Sequence, residues 1–195
     1  GALKTYPDAE KLGARDERLL VRGLDAGKYA PLLETEYFSP VFGVVELPHT
    51  GVEFLNTAVD LANDKFIGTL GVNIIAHPKT MKSLGGALDS AIERLRYGTI
   101  ALNAWTGVGF LTPSASWGAF PGHTIDDVQS GIGVVHNALL IDKVERTVVR
   151  GPFRPAPRSI LNGELTLAPK PPWFVNNKTA AKTGELLTRF AGKPR

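Results

Sequence analysis

Apolar positions along this chain fall into short runs with two different periods. Residues 41–47 (VFGVVEL) form a compact β-branched and apolar run, the pattern of a buried strand. Over 54–63 the side chains of Phe54, Leu55, Ala58, Leu61 and Ala62 share one face of a 3.6-residue repeat, which predicts a helix broken by Asn63-Asp64. A second strand is predicted over 69–76 (TLGVNIIA), closed by His77-Pro78. Leu84, Leu88, Ile92 and Leu95 then recur at helical spacing, predicting one long amphipathic helix over 80–96. Thr80 is its expected N-cap, Arg94 and Arg96 suit its C-terminal dipole, and Gly98 suits a left-handed cap. Residues 99–103 (TIALN) give a third strand.

Strand, helix, strand, helix, strand with short links predicts an α/β layered domain with a largely parallel sheet. Such sheets place ligand-binding residues beyond the carboxyl ends of their strands. Residues 105–133 break the pattern: they are rich in Gly, Pro, Ser and aromatics and have no sustained period. A loop of that length in a compact domain is functional or disordered, and Trp105, Phe110, Trp117 and Phe120 argue against disorder. Residues 134–141 are compatible with helix or strand, and 146–150 (RTVVR) with a short strand. Half of the 14 prolines lie in 152–195, so a boundary is placed at Gly151-Pro152. Residues 179–191 are expected to form a terminal helix, and no internal repeat is visible.

Charge follows the same boundary. Residues 152–195 hold 8 Lys/Arg and 2 Asp/Glu, a net of +6. Residues 1–151 hold 22 − 8 = 14 basic and 19 − 2 = 17 acidic residues, a net of −3. The basic charges are dispersed and carry no nucleic-acid motif, so the tail is expected to be a solvated extension or one packed on an acidic surface. No apolar run approaches the ~20 residues of a membrane helix, and neither a membrane nor a nucleic acid is expected as a partner. The chain has no cysteine, which excludes thiol-nucleophile and thiolate-metal chemistry and agrees with a cytoplasmic setting. It starts at Gly1 and its only methionine is Met81, so a trimmed, processed or engineered N-terminus is expected, a piece of a longer protein being one of the readings left open.

Five segments, in order, resemble the C-terminal half of the aldehyde dehydrogenase superfamily. Glu36 to Val41 (EYFSPV) is similar to its E-x-F-G-P-V motif, and LANDKFIGTLGVNII (61–75) to its A-N-x-x-x-x-G-L passage. RLRYGTIALNAW (94–105) resembles the helix, Gly turn and strand ending in V-N. WGAFPG with QSGIG (117–133) resembles the loop F-G-G-x-K-x-S-G-x-G, and RTVVR the last strand, K-T-V-T-V. The resemblance spans about residues 30–151.

The resemblance implies NAD- or NADP-dependent oxidation of an aldehyde substrate to an acid, or the related acylating reaction. In that chemistry a cysteine thiolate attacks the aldehyde, hydride passes to the nicotinamide, and a glutamate-activated water releases the acid. The family's cysteine, base and dinucleotide-binding domain all lie upstream of the E-x-F motif, so no catalytic residue is expected in this chain. The missing N-terminal region of the same protein and further copies, in a homo-oligomer, are its expected partners. Glu36 matches the glutamate that accepts hydrogen bonds from the nicotinamide-ribose hydroxyls, and Phe38 the aromatic near the nicotinamide. From spacing alone, Glu36 is instead a surface acid and Phe38 a core anchor. Ser39 replaces the family's glycine, which touches the turn geometry. Val108, Phe110 and Trp117 are candidates to line the aldehyde tunnel; packing residues are the alternative. Residues 120–128 (FPGHTIDDV) are longer and more acidic than the family loop.

The expected organisation is therefore 1–145 as part of a catalytic domain, 146–151 as an assembly strand pairing across a subunit interface, and 152–195 as an irregular Pro-rich tail. Within the tail, 169–177 reads as a polyproline-like arm with Trp173 and Phe174 as anchors. The alternative in function is a non-catalytic assembly module that keeps the fold. No metal site is expected: His49, His77, His123 and His136 lack ligand spacing, and His123 with Asp126 and Asp127 reads as a solvated loop. No phosphate loop, dinucleotide fingerprint or serine-hydrolase elbow is present.

Overall fold

The computed structural model describes residues 2–25, 27, 31–154, 160–161, 170–171 and 173–193. They form a mixed α/β fold. In chain order the elements are α1 (Ala2–Thr5), β1 (Glu10–Leu12), β2 (Arg18–Val21), β3 (Val41–Gly43), α2 (Gly51–Lys65), β4 (Gly71–Ile74), α3 (Pro78–Leu84), α4 (Gly86–Arg94), β5 (Thr99–Leu102), α5 (Gly107–Leu111), β6 (Trp117–Gly118), β7 (Val134–Val135), β8 (Thr147–Arg150) and α6 (Ala180–Ala191).

The central sheet has the order β4-β5-β8 and is parallel throughout. Its middle strand is buried on both faces, as the unbroken apolar run TIAL requires. Ile100 and Leu102 point into a core built with Leu55 and Val59 of α2 and Leu88, Ala91 and Ile92 of α4. Full burial of each such side chain stabilises by about 1.5–3 kcal/mol. Thr99, Ala101 and Asn103 face the other way and are equally buried. There α5 closes over the sheet, and Gly109 comes so near Thr99 that a Cβ would stand 3.0 Å from its methyl.

The predicted 80–96 helix is two helices. The leucine stripe runs across both, but Gly85 (φ 52°, ψ −133°) breaks the backbone between them. That conformation is open to glycine and costly for other residues. The N-cap is His77, whose ring accepts from the Lys79 N–H at 3.1 Å, followed by Pro78 at the first helical position; Thr80 lies inside α3. The second helix ends at Arg94 with Leu95 extended, so Gly98 is not a left-handed cap. It is needed for a different reason: a Cβ on Gly98 would sit 1.8 Å from the Gly118 carbonyl oxygen. The Asn63-Asp64 pair does not break α2, which runs on to Lys65. The Asn63 side chain instead donates to the Arg94 carbonyl (2.9 Å) and accepts from the Arg96 N–H (2.8 Å), joining the ends of α2 and α4.

Strands are shorter than the apolar runs: β3 stops at Gly43, although the Val44 N–H still donates to the Val21 carbonyl. β3 belongs to a second sheet, β1-β2-β3, antiparallel between β1 and β2 and parallel between β2 and β3. The 105–133 stretch is not a plain loop. It contains α5 and β6, and β6 pairs antiparallel with β7.

β8 pairs with β5 of its own chain, with the Thr147 N–H on the Gly98 carbonyl and the Gly151 N–H on the Leu102 carbonyl. Among the described residues no further strand pairs the outer edge of β8, nor that of β4 on the other side of the sheet. In the tail, α6 falls where the terminal helix is expected. Parts of the predicted polyproline arm lie outside the described residues. Its described part runs as turns, with the Phe174 N–H on the Pro171 carbonyl and the Asn177 N–H on the Phe174 carbonyl, rather than as an extended arm. Pro171 is buried, and Phe174 meets Trp105 edge to face at 5.9 Å. Among the described residues no helix is long and apolar enough to cross a membrane.

Candidate functional site

A groove of about 930 Å³ lies between the 32–43 segment and the near end of the central sheet. Its walls include Glu36, Phe38 and Phe42 on one side and Phe66, Gly71, Tyr97, Thr106 and Trp117 on the other. Asp127, Gln129 and Ser130 close one end. Leu70 and Gly71 begin β4, and Tyr97 just precedes β5. The groove therefore sits at the amino ends of these strands, not the carboxyl ends that parallel sheets ordinarily offer. The carboxyl ends are closed instead: the Asn103 side chain accepts from the Ala76 N–H and donates to the Ala76 carbonyl, both at 2.9 Å.

Glu36 and Trp117, 81 positions apart (117 − 36), come together here. Glu36 is exposed and has no hydrogen-bond partner among the described residues, so its carboxylate is available as an acceptor. Phe38 is 91% exposed on the groove wall and so is not a core anchor. It also holds the left-handed backbone of this turn (φ 45°), which is unusual for a bulky residue, while Ser39 does not. The glycine-to-serine difference at 39 thus bears no left-handed strain.

Of the three tunnel candidates, Trp117 alone lines the groove. Phe110 stands behind it, edge to face with Trp117 at 5.6 Å and tilted on His136 at 5.5 Å. Val108 is half-buried on α5, outside the lining. Phe110 therefore supports the Trp117 ring rather than sharing the groove surface.

Two groove residues went unassigned from sequence, although both lie in quoted motifs. Tyr97, of RLRYG, is buried and donates its hydroxyl to the Ala62 carbonyl at 2.9 Å. Burial pushes its phenol above the ordinary value, and the nearby Arg96 charge offsets part of that rise. Ser130, of QSGIG, accepts from the Thr69 N–H at 2.8 Å and so ties the 120–133 loop to the start of β4. His123 belongs to the same tie: its Nε2 lies 2.6 Å from the Thr69 hydroxyl. No cluster of three His, Asp or Glu side chains suited to a metal occurs among the described residues.

No family model, curated protein or solved structure matches the chain.

Among the described residues the lining is largely aromatic and hydroxylic, its charged members are the carboxylates Glu36 and Asp127, and no Lys, Arg or His is among them. Such a surface suits a hydroxylated, flat ligand: acceptors for sugar hydroxyls and ring faces for a heterocycle. Among the described residues it offers no cation to a phosphate and no paired nucleophile and base.

Proposed function

We propose that this chain is the C-terminal portion of an NAD(P)-dependent aldehyde dehydrogenase, inactive without the region that carries the nucleophile and the dinucleotide-binding domain. The carrying observation is that Glu36, Phe38 and Trp117 share one groove wall-to-wall despite their distance in sequence. Glu36 would accept the hydroxyls of the nicotinamide ribose, Phe38 would pack beside the nicotinamide ring, and Trp117, backed by Phe110, would bound the aldehyde side. No cationic side chain lines the groove among the described residues, which fits this division of labour, because the pyrophosphate would be held by the upstream domain. The layering of helices on the parallel sheet, with β8 as an edge strand, supports the family's catalytic-domain architecture and a homo-oligomer joined through that edge.

The test joins this chain to the upstream region of its own reading frame and assays NAD(P) reduction with simple aldehydes. Glu36→Gln should raise the nucleotide KM about tenfold, the loss of one or two hydrogen bonds to a charged acceptor. An upstream region without a cysteine, or an assembled protein that neither binds nor reduces NAD(P), would sink the proposal. The groove's lack of any nucleophile and base pair favours a second reading, a non-catalytic assembly module, and that same negative result would select it.

A further inference from the structure

Among the described residues, helix α6 carries an apolar face without a partner. At 100° per residue, Leu186, Leu187 and Phe190 fall on one side with Thr183 between them, and Lys182, Glu185 and Arg189 fall opposite. The apolar side is open to solvent: Leu187 is 61% exposed and Phe190 73%. Just before the helix, Trp173 (64% exposed) and Val175 also project outward, while Phe174 holds the segment to Trp105.

Charge selects what such a face meets. Residues 170–195 contain six Lys/Arg (170, 178, 182, 189, 193, 195) and one acid, Glu185, a formal net of +5. Glu185 is bracketed by Lys182 (2.8 Å) and Arg189 (2.5 Å), so the polar side presents cationic flanks. A nucleic acid would answer the charge and leave the leucines in water. Self-pairing of α6 would cover the leucines but set two cationic segments against each other. Several acids of residues 1–151 are already engaged, Asp60, Asp64, Asp89 and Glu145 with Arg94, Arg96, Arg150 and Arg146, which reduces what that surface offers the tail. A surface of anionic headgroups over acyl chains answers both halves of the helix at once.

We propose that residues 173–193 form an interfacial anchor, with α6 lying in the plane of an anionic lipid surface, Leu186, Leu187 and Phe190 inserted and Trp173 at the headgroup level. The peptide lies on the membrane and does not span it. This anchor is independent of the groove and of the dehydrogenase proposal.

The full chain is mixed with phosphatidylcholine vesicles, with and without phosphatidylglycerol, and pelleted. Binding should appear with the anionic lipid, weaken as salt is raised, and fall at least about tenfold in Leu187→Glu and in Phe190→Glu, each removing one inserted apolar side chain. Lys193→Glu should weaken it without altering helix content. Both leucine-face positions are exposed, and circular dichroism verifies that the variants fold. No pelleting, equal pelleting with both lipids, or binding untouched by Leu187→Glu overturns the proposal. So does concentration-dependent dimerisation that Leu187→Glu abolishes in a chain that ignores vesicles, which would assign the face to a second copy.

Discussion

Asn103 uses its side-chain amide to make both hydrogen bonds to Ala76, accepting from its N–H and donating to its carbonyl at 2.9 Å each. The Asn103 N–H still donates to the Ile74 carbonyl at 2.8 Å, and the φ of 52° ends the strand at this residue. Asparagine is one of the few non-glycine residues that tolerate this conformation. The side chain thus extends the β4-β5 pairing one step past the point where the strand ends.

Replacing Asn103 with alanine should cost about 2–3 kcal/mol, the sum of a half-buried Ala76 amide left unpaired and left-handed strain. Asn103→Gly should recover the strain component and not the hydrogen bonds. Urea midpoints of the two variants separate these contributions; equal losses would refute the division.

Arg146 plays the matching part at the end of α4. Its guanidinium, nearly buried, donates to the carbonyls of Ile92 (2.8 Å), Glu93 (2.6 Å) and Leu95 (2.8 Å) and lies 5.2 Å from the Phe120 ring centre. These are carbonyls that a helix end leaves without partners. Arg146→Met should cost about 2–4 kcal/mol, and Arg146→Lys should retain only part, because an ammonium cannot reproduce the planar fork. A thermal melt in which Lys matches wild type would overturn this assignment. The adjoining Glu145 pair is mostly exposed and contributes little.

Tyr97 gives stability a defined alkaline limit. Its phenol is raised above 10.0 by burial, so the folded chain holds this proton more tightly than the unfolded one. Its contribution is complete below the unfolded value and is lost as pH rises through the folded value. Tyr97→Phe should lower stability at neutral pH by about 0.5–1.5 kcal/mol, one hydrogen bond, and flatten the decline above pH about 10. Denaturant unfolding across that range is the measurement; an unchanged slope in Tyr97→Phe would assign the decline elsewhere.

The central sheet and its covering helices were legible because their signal is local and periodic. TIALN marks β5 to within one residue, and Leu84, Leu88 and Ile92 give the buried face of α3 and α4. The break at Gly85 left no mark on that periodicity, since Leu84 and Leu88 keep helical spacing across it. Asn63 and Asn103 stood in recognisable motifs, but their work is done by side-chain amides crossing more than 20 positions, which no periodic pattern encodes. The site was half legible for the same reason. Glu36, Phe38 and Trp117 line one groove only because the 32–43 segment is held against the chain before β4, with the Ile67 N–H on the Leu33 carbonyl, and Phe110 fell behind Trp117 because α5 curls where a loop was expected.

The order β4-β5-β8 has a consequence for how the chain is made. A ribosome delivers α2, β4, α3, α4 and β5 in one uninterrupted stretch, and these already enclose the principal core. The flanking strand β8 arrives only after the excursion through α5 and the β6-β7 ribbon, and with it Arg146, which seals the end of α4. Until that excursion has been translated, the side of β5 that β8 covers has no partner strand from this sheet. Whatever first meets that side, the chain's own β8 or a neighbour's, completes the sheet.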